Sequence, residues 1–302
     1  MYDLIIIGGG PAGLTAGIYA QRARLKTVML EKQMVGGQIA VSDVIENFPG
    51  FPSISGAGLM EKFEEHAKGL GLEIQFAEVL NIETDGDDKV VKTSEGDLRT
   101  KAVIVATGAK PRRLGVPGEK ELTGKGVSYC ATCDGPFFRG RTVMVVGGGD
   151  TAVKEAAYLS KLAGKVYLVH RRDKFRAEKM HQEKVEATAN IEILRSHVLK
   201  EIKAENGLVH RALVQDLKTN GIKEVDVEGV FIFVGINPTT DFVDVEKDSG
   251  GFIKTNQKME TSVAGIYAAG DCRTTPLLQV VTAAGDGATA AFMAESYIEE
   301  HK

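Results

Sequence analysis

A duplicated segment, once near the start of the chain and once near its middle, constrains the fold more than any other feature. From Leu4 to Glu31 the sequence reads as an aliphatic strand, then Gly8-Gly9-Gly10-Pro11-Ala12-Gly13, a helix of small residues through about Arg22, and a second strand Lys26–Glu31. Thr142 to His170 repeats that order: strand Val143–Val146, then Gly147-Gly148-Gly149-Asp150-Thr151-Ala152, a helix through about Leu162, and strand Lys165–His170. The first glycine and the end of the second strand are equally far apart in the two copies. A lone Gly-x-Gly-x-x-Gly can be no more than a tight turn. One that leaves a strand, opens a helix and is followed by a second strand has the context of dinucleotide binding. Glycine is needed there so that backbone can approach a pyrophosphate, which rests on free N–H groups at the helix N-terminus. Gly8, Gly10, Pro11, Ala12 and Gly13 are therefore expected at one nucleotide, and Gly147, Gly149, Asp150, Thr151 and Ala152 at another. The fold class that follows is α/β, with two Rossmann-like dinucleotide-binding domains.

The ends of the second strands separate the two ligands. Glu31 is placed to accept hydrogen bonds from a ribose hydroxyl, which suits a nucleotide without a 2′-phosphate, such as FAD or NAD. The matching place in the second copy holds His170-Arg171-Arg172, with Arg176 close behind. Guanidinium groups bind a 2′-phosphate through charge-assisted hydrogen bonds, where a carboxylate would repel it. The second site should therefore prefer NADP(H). A further repeat, an apolar strand followed by Gly-x-x-Pro, occurs at Val103–Pro111 with Gly108 and at Val230–Pro238 with Gly235. It suggests that the second domain is inserted into the first. Residues 1–113 and 239–302 would form one domain and 114–238 the other. The strand before Gly270-Asp271 and a small-residue helix over Thr282–Glu299 would complete the first.

Composition narrows the function classes. A chain of 302 residues has room for about two domains. With 37 basic and 41 acidic side chains, a net charge of −4 and only 6% aromatics, it lacks the basic stripe and stacking platforms of a dedicated nucleic-acid binder. No apolar run approaches a membrane span, and the opening strand has no basic n-region, so a cytoplasmic setting is expected. Three cysteines in so long a chain cannot be a disulfide scaffold. Cys130-Ala131-Thr132-Cys133 can instead close a small redox disulfide or supply half of a zinc site. Zinc would need two more ligands, and no His lies near the pair in sequence, so no metal is expected. Asp134, directly after the second cysteine, could exchange the proton that moves when a disulfide is reduced. Cys272 has no partner spacing and reads as a packed thiol.

Together these motifs resemble the low-molecular-weight bacterial and archaeal thioredoxin reductases, end to end. The resemblance rests on both glycine motifs, Gly36-Gly37-Gln38, Glu46-Asn47-Phe48-Pro49-Gly50, Cys130 to Asp134, His170-Arg171-Arg172 with Arg176, and Ala269-Gly270-Asp271. It implies FAD in the first domain, NADPH in the second and a homodimer, with thioredoxin as the transient protein substrate of the Cys130–Cys133 disulfide. It also implies Gln38, Asn47, Asp271 and Gln279 on the flavin side, with Gly37, Gly108 and Val280 beside them, and Gly235 near the nucleotide of the second domain. Asp134 would be the acid/base, and Phe137 and Phe138 stand where the family's docking aromatics lie. One departure is Leu278, where the family often has Arg. A reductase of another disulfide partner, such as a glutaredoxin-like protein, and a flavin/thiol redox sensor are the alternative readings.

Overall fold

The computed structural model describes residues 1–42 and 45–301. The chain divides into two compact units, Met1–Lys110 with Asn237–Lys302, and Pro111–Ile236. The divisions fall within the short strands Ala109–Pro111 and Ile236–Pro238.

Both copies of the duplicated motif fold as strand, helix and strand: β1 (Tyr2–Ile7), α1 (Pro11–Arg22) and β2 (Thr27–Glu31) in the first, β3 (Thr142–Gly147), α2 (Asp150–Leu159) and β4 (Lys165–His170) in the second. The helix α2 ends a turn earlier than the sequence suggests. Ser160, Lys161 and Leu162 continue as turns into Ala163 and Gly164, which return the chain to β4.

In the first unit β1 lies between two parallel neighbours, β2 and Gly96–Val105. Glu73–Phe76 extends the sheet beyond β2, and Ile266–Ala268 pairs in parallel with Gly96–Val105. Asp88–Thr93 and Val79–Asp85 add an antiparallel meander on the same sheet. Because side chains alternate along a strand, Leu4 and Ile6 point to one core while Ile5 and Ile7 point to another. This two-sided burial explains the unbroken aliphatic run of β1. On the first face α1 packs against α3 (Val280–Glu300), the last helix of the chain. Gly287 permits the approach: a Cβ there would lie 2.1 Å from the Ala12 carbonyl oxygen.

The second unit repeats the arrangement. Its five-stranded sheet runs Ile191–Arg195, β4, β3, Gly229–Phe233, Val127–Ser128, and every pair is parallel. Val143 and Val145 face α2, while Met144 and Val146 face the other way. That second face is covered by a three-stranded antiparallel sheet, His197–Glu205, Leu208–Asp216 and Ile222–Asp226, which no sequence motif announces.

Candidate active site

The two glycine loops match residue by residue. Gly8 (φ +107°) has no room for a side chain, since a Cβ would stand 2.5 Å from the Ala106 carbonyl oxygen. At Gly147 the corresponding approach to the Phe233 oxygen is 2.4 Å. The third position closes helix onto loop: a Cβ on Gly13 would fall 1.9 Å from the Gly8 oxygen, and in the second loop Ala152 stands at this point. The middle glycines differ from these. A Cβ on Gly10 or Gly149 would meet no protein atom within 4 Å, so each backbone faces open space at its helix N-terminus. That is the cradle an anionic group needs.

The residues expected on the flavin side lie in the first unit, and some of them touch the first loop. Glu31, at the end of β2, accepts the N–H groups of Gly9 (2.8 Å) and Gln33 (2.9 Å), which fixes its carboxylate beside the loop. Gly37 sits with its Cβ direction 3.5 Å from the Gly10 Cα, and Gly36 N–H donates to the Gly9 oxygen, so the turn carrying exposed Gln38 is tied to the same loop. Asn47 donates to the Gln279 side chain at 2.8 Å. Gln279 is the N-cap of α3, joined with Thr282 in a capping box. Val280, in the first turn of α3, buries its side chain among Ile45, Leu59 and Met60. Gly108 (φ +64°) accepts the Thr239 N–H at 3.1 Å.

Asp271 lies on the short turn Gly270–Cys272, and a Cβ on its neighbour Gly270 would touch that of Ala12 at 3.0 Å. Burial, and then the negative charge of Asp286, push its carboxyl up to about 6. Asp286 itself is held by Arg273 (2.8 Å) and the Gly270 N–H (3.1 Å). No hydrogen bond to the Asp271 carboxylate is found among the described residues. The open Gly10, the fixed Glu31 and this carboxylate together fit the ribose, pyrophosphate and ribityl groups of a flavin dinucleotide.

In the second unit, Asp150 accepts the Glu178 N–H at 2.9 Å and the Arg176 N–H donates to Gly148 at 2.8 Å, which anchors the arginine segment to the glycine loop. Arg171, Arg172 and Arg176 are exposed. His170 behaves differently: it is 5% exposed, stacks on Phe175 and donates from Nε2 to the Lys174 carbonyl at 3.1 Å. Burial lowers its pKa, opposed by the hydrogen bond to the Lys174 carbonyl and aided by the neighbouring arginines. Its imidazole is thus a wall of the loop, and the exposed cations are the three arginines. Thr151 is exposed, and Gly235 (φ +125°) accepts the Arg112 N–H at 2.9 Å.

Cys130 and Cys133 form a disulfide with Cα atoms 5.3 Å apart. It opens the four-residue helix Ala131–Asp134, where Cys130 is the N-cap and its sulfur accepts the Cys133 N–H at 3.2 Å. Asp134 ends that helix. Phe137 is 45% exposed, whereas Phe138 packs edge-on against Phe231 in the core. Cys272 is buried, its thiol within 3.3 Å of the Val105 carbonyl, and burial pushes its pKa up to about 11. Among the described residues no group of three His, Cys, Asp or Glu side chains is placed to hold a metal.

The family model for pyridine nucleotide-disulphide oxidoreductases matches residues 2–288. The chain belongs to the pyridine nucleotide-disulphide oxidoreductases. It is 46% identical over 303 residues to the thioredoxin reductase of Bacillus subtilis (strain 168), covering 99% of this chain and 96% of that one. The thioredoxin reductase of Peptoclostridium acidaminophilum is also 46% identical, over 99% and 98% of the two chains. The crystal structure of thioredoxin reductase from Streptococcus pyogenes MGAS5005 superposes with a TM-score of 0.95 at 44% identity, covering 99% of each chain.

For a pyridine nucleotide-disulphide oxidoreductase the surroundings of the disulfide matter as much as the cysteines, and here sequence reasoning missed three residues. Ser128 contacts the backbone of Cys130, and Tyr129 donates to buried Glu119 at 2.8 Å. A serine two residues before a cysteine is a weak turn signal that could have been used. Glu119 carries no recognisable motif, although its partners Leu114, Gly115 and Tyr129 lie within ten residues of it.

Proposed function

We propose that the protein is an FAD-dependent NADPH:disulfide oxidoreductase whose disulfide substrate is thioredoxin. The observation that carries the reading is the Cys130–Cys133 disulfide standing in a unit that also holds a glycine loop ringed by arginines. FAD belongs to the loop of Gly8, Gly10 and Gly13 with Glu31 and Asp271, and NADPH to the loop of Gly147 and Gly149 with Arg171, Arg172 and Arg176. Bound FAD supplies the two-electron relay from NADPH to the disulfide.

The residues of the chain do the rest. Two electrons and two protons convert the Cys130–Cys133 bond to two thiols, and Asp134 is the group beside them that can hand over a proton. The N–H that reaches the Cys130 sulfur favours the thiolate, the nucleophilic form. Attack of a thiolate on the partner disulfide gives a mixed disulfide. The second cysteine resolves it, releasing the partner as a dithiol and re-forming Cys130–Cys133. Exposed Phe137 is the aromatic suited to dock that partner. The same reading makes the protein a cytoplasmic homodimer. No helix among the described residues is long and apolar enough to cross a membrane.

Steady-state NADPH oxidation with and without thioredoxin tests the proposal. Sustained turnover only with thioredoxin supports it. Sustained turnover with a glutaredoxin-like protein alone would move the assignment to that partner. A single reduction event that then stops would make the protein a redox sensor.

A further inference from the structure

The segment leading into the disulfide is held more firmly than its length requires. The Ser128 hydroxyl closes on both polar backbone groups of Cys130: it accepts the Cys130 N–H at 3.1 Å and donates to the Cys130 carbonyl at 3.2 Å. Ser128 is itself 4% exposed, at the end of the strand Val127–Ser128, where it pairs with Phe231 of the parallel sheet. One residue on, the Tyr129 hydroxyl donates to Glu119 at 2.8 Å. Glu119 is 2% exposed, and its two oxygens also accept the N–H groups of Leu114 (3.0 Å) and Gly115 (2.7 Å). Burial and the adjacent Glu119 carboxylate push the Tyr129 hydroxyl up to about 12, so it stays a donor throughout the working pH range.

Beyond Cys130 the chain is anchored at Ala131, which is 1% exposed in the core of the second unit. The helix Ala131–Asp134 has four residues, far below the length at which a helix holds itself. While the disulfide is closed, the covalent bond fixes Cys130. Once it is reduced, the contacts made by Ser128 and Tyr129 hold the Cys130 backbone on its N-terminal side, alongside its own short turn and the buried Ala131 that follows it.

We infer that Ser128 and the Glu119–Tyr129 pair are positioning residues for Cys130, which keep its backbone in the dithiol state where the disulfide holds it in the oxidised state. The inference rests on the reading of Cys130–Cys133 as the redox pair. Its sign is set by which state gains freedom. Loss of the clamp releases Cys130 only when the disulfide is open, so the dithiol gains conformational entropy and the equilibrium for closing the disulfide falls. Freeing one backbone residue corresponds to about a five- to thirtyfold change in an equilibrium constant. A tenfold fall would raise the two-electron potential by about 30 mV.

The test is the thiol–disulfide equilibrium of the full-length, FAD-loaded protein in glutathione buffers. In that exchange the protein dithiol and oxidised glutathione give the Cys130–Cys133 disulfide and two reduced glutathiones. Ser128→Ala and Tyr129→Phe are each expected to lower the constant for disulfide formation about tenfold. Reduction of the flavin by NADPH should proceed at the parental rate in both. Ser128→Thr, which keeps the hydroxyl, should return the constant to within about threefold of the parent. A constant within about twofold of the parent in either Ser128→Ala or Tyr129→Phe overturns the clamp. Failure of the underlying reading looks different: the unmodified protein itself would show no NADPH-dependent opening of Cys130–Cys133.

Discussion

The same substitution, glycine to alanine, should have opposite signatures three residues apart in the first loop. At Gly13 the new methyl would stand 1.9 Å from the Gly8 carbonyl oxygen, a backbone atom that no rotamer change can move aside. The helix α1 would have to retreat by roughly 1 Å from β1, against the buried packing of Leu14, Ala16 and α3. A loss of more than about 4 kcal/mol is expected, the range of the severest core substitutions. At Gly10 the backbone is at φ −81° and ψ −172°, which alanine adopts freely, and the methyl would meet no protein atom within 4 Å. The apoprotein should therefore be unchanged or gain about 0.4–1 kcal/mol, because alanine restricts the unfolded chain. The methyl would nevertheless project into the space assigned to the pyrophosphate. Overpacking of this kind costs about 1–3 kcal/mol, or about 5- to 150-fold in FAD affinity. Thermal unfolding of the apoproteins and fluorescence titration with FAD separate the two effects. Binding of FAD by Gly10→Ala as tight as the parent's would show that the open space at Gly10 is not the pyrophosphate site, and unfolding of its apoprotein as early as that of Gly13→Ala would show that the space is not open.

Replacing Arg171 and Arg172 by Ala should raise the Michaelis constant for NADPH about tenfold or more and leave NADH nearly unaffected, since one charge-assisted hydrogen bond is worth about 1.5 kcal/mol or more; equal losses with both nucleotides would assign the arginines another task. Cys130→Ser or Cys133→Ser should abolish thioredoxin reduction and spare flavin reduction by NADPH in stopped-flow traces, while Cys272→Ser should keep most of the activity. Asp271 gives a pH prediction for the apoprotein. Its carboxyl titrates near 6 folded against 3.8 unfolded, so the folded state holds the extra proton between these values, and stability falls as pH rises from about 4 to about 6. Asp271→Asn should remove that slope, on the order of 1–3 kcal/mol in denaturant melts across the window.

The parts of the fold that could be read from the sequence are those where physics leaves few residue choices. A Cβ on Gly8 or Gly147 would stand within 2.5 Å of a carbonyl oxygen, so glycine recurs at this position in both copies and announces the motif. The cysteine spacing is equally constrained by disulfide geometry. What escaped reading was set by tertiary partners. The antiparallel sheet of His197–Asp226 covers the second face of the parallel sheet with ordinary alternating strands. His170 stands beside Arg171 and Arg172 in the sequence, but the close approach of Gly148 and the ring of Phe175, which no local pattern shows, turn its side chain inward. Phe137 and Phe138 look equivalent in sequence. Gly229 leaves the room that admits the Phe138 ring to the core, and Phe137 stays outside.

The buried Cys272 makes the first unit report on itself. In the folded, oxidised protein Cys130 and Cys133 are tied to each other and Cys272 is shut away beneath the Val105 and Ala269 carbonyls, so an alkylating reagent should find nothing to label. Reduction exposes two thiols without disturbing the third. Labelling of Cys272 then requires the turn Gly270–Cys272 to lift from the end of the strand Gly96–Val105, and in the fast-reclosing regime its rate measures the free energy of that opening. With FAD bound, the same clock should slow in proportion to cofactor occupancy. A single mass-spectrometric time course would thus follow the local opening of the first unit while the redox chemistry of the second proceeds.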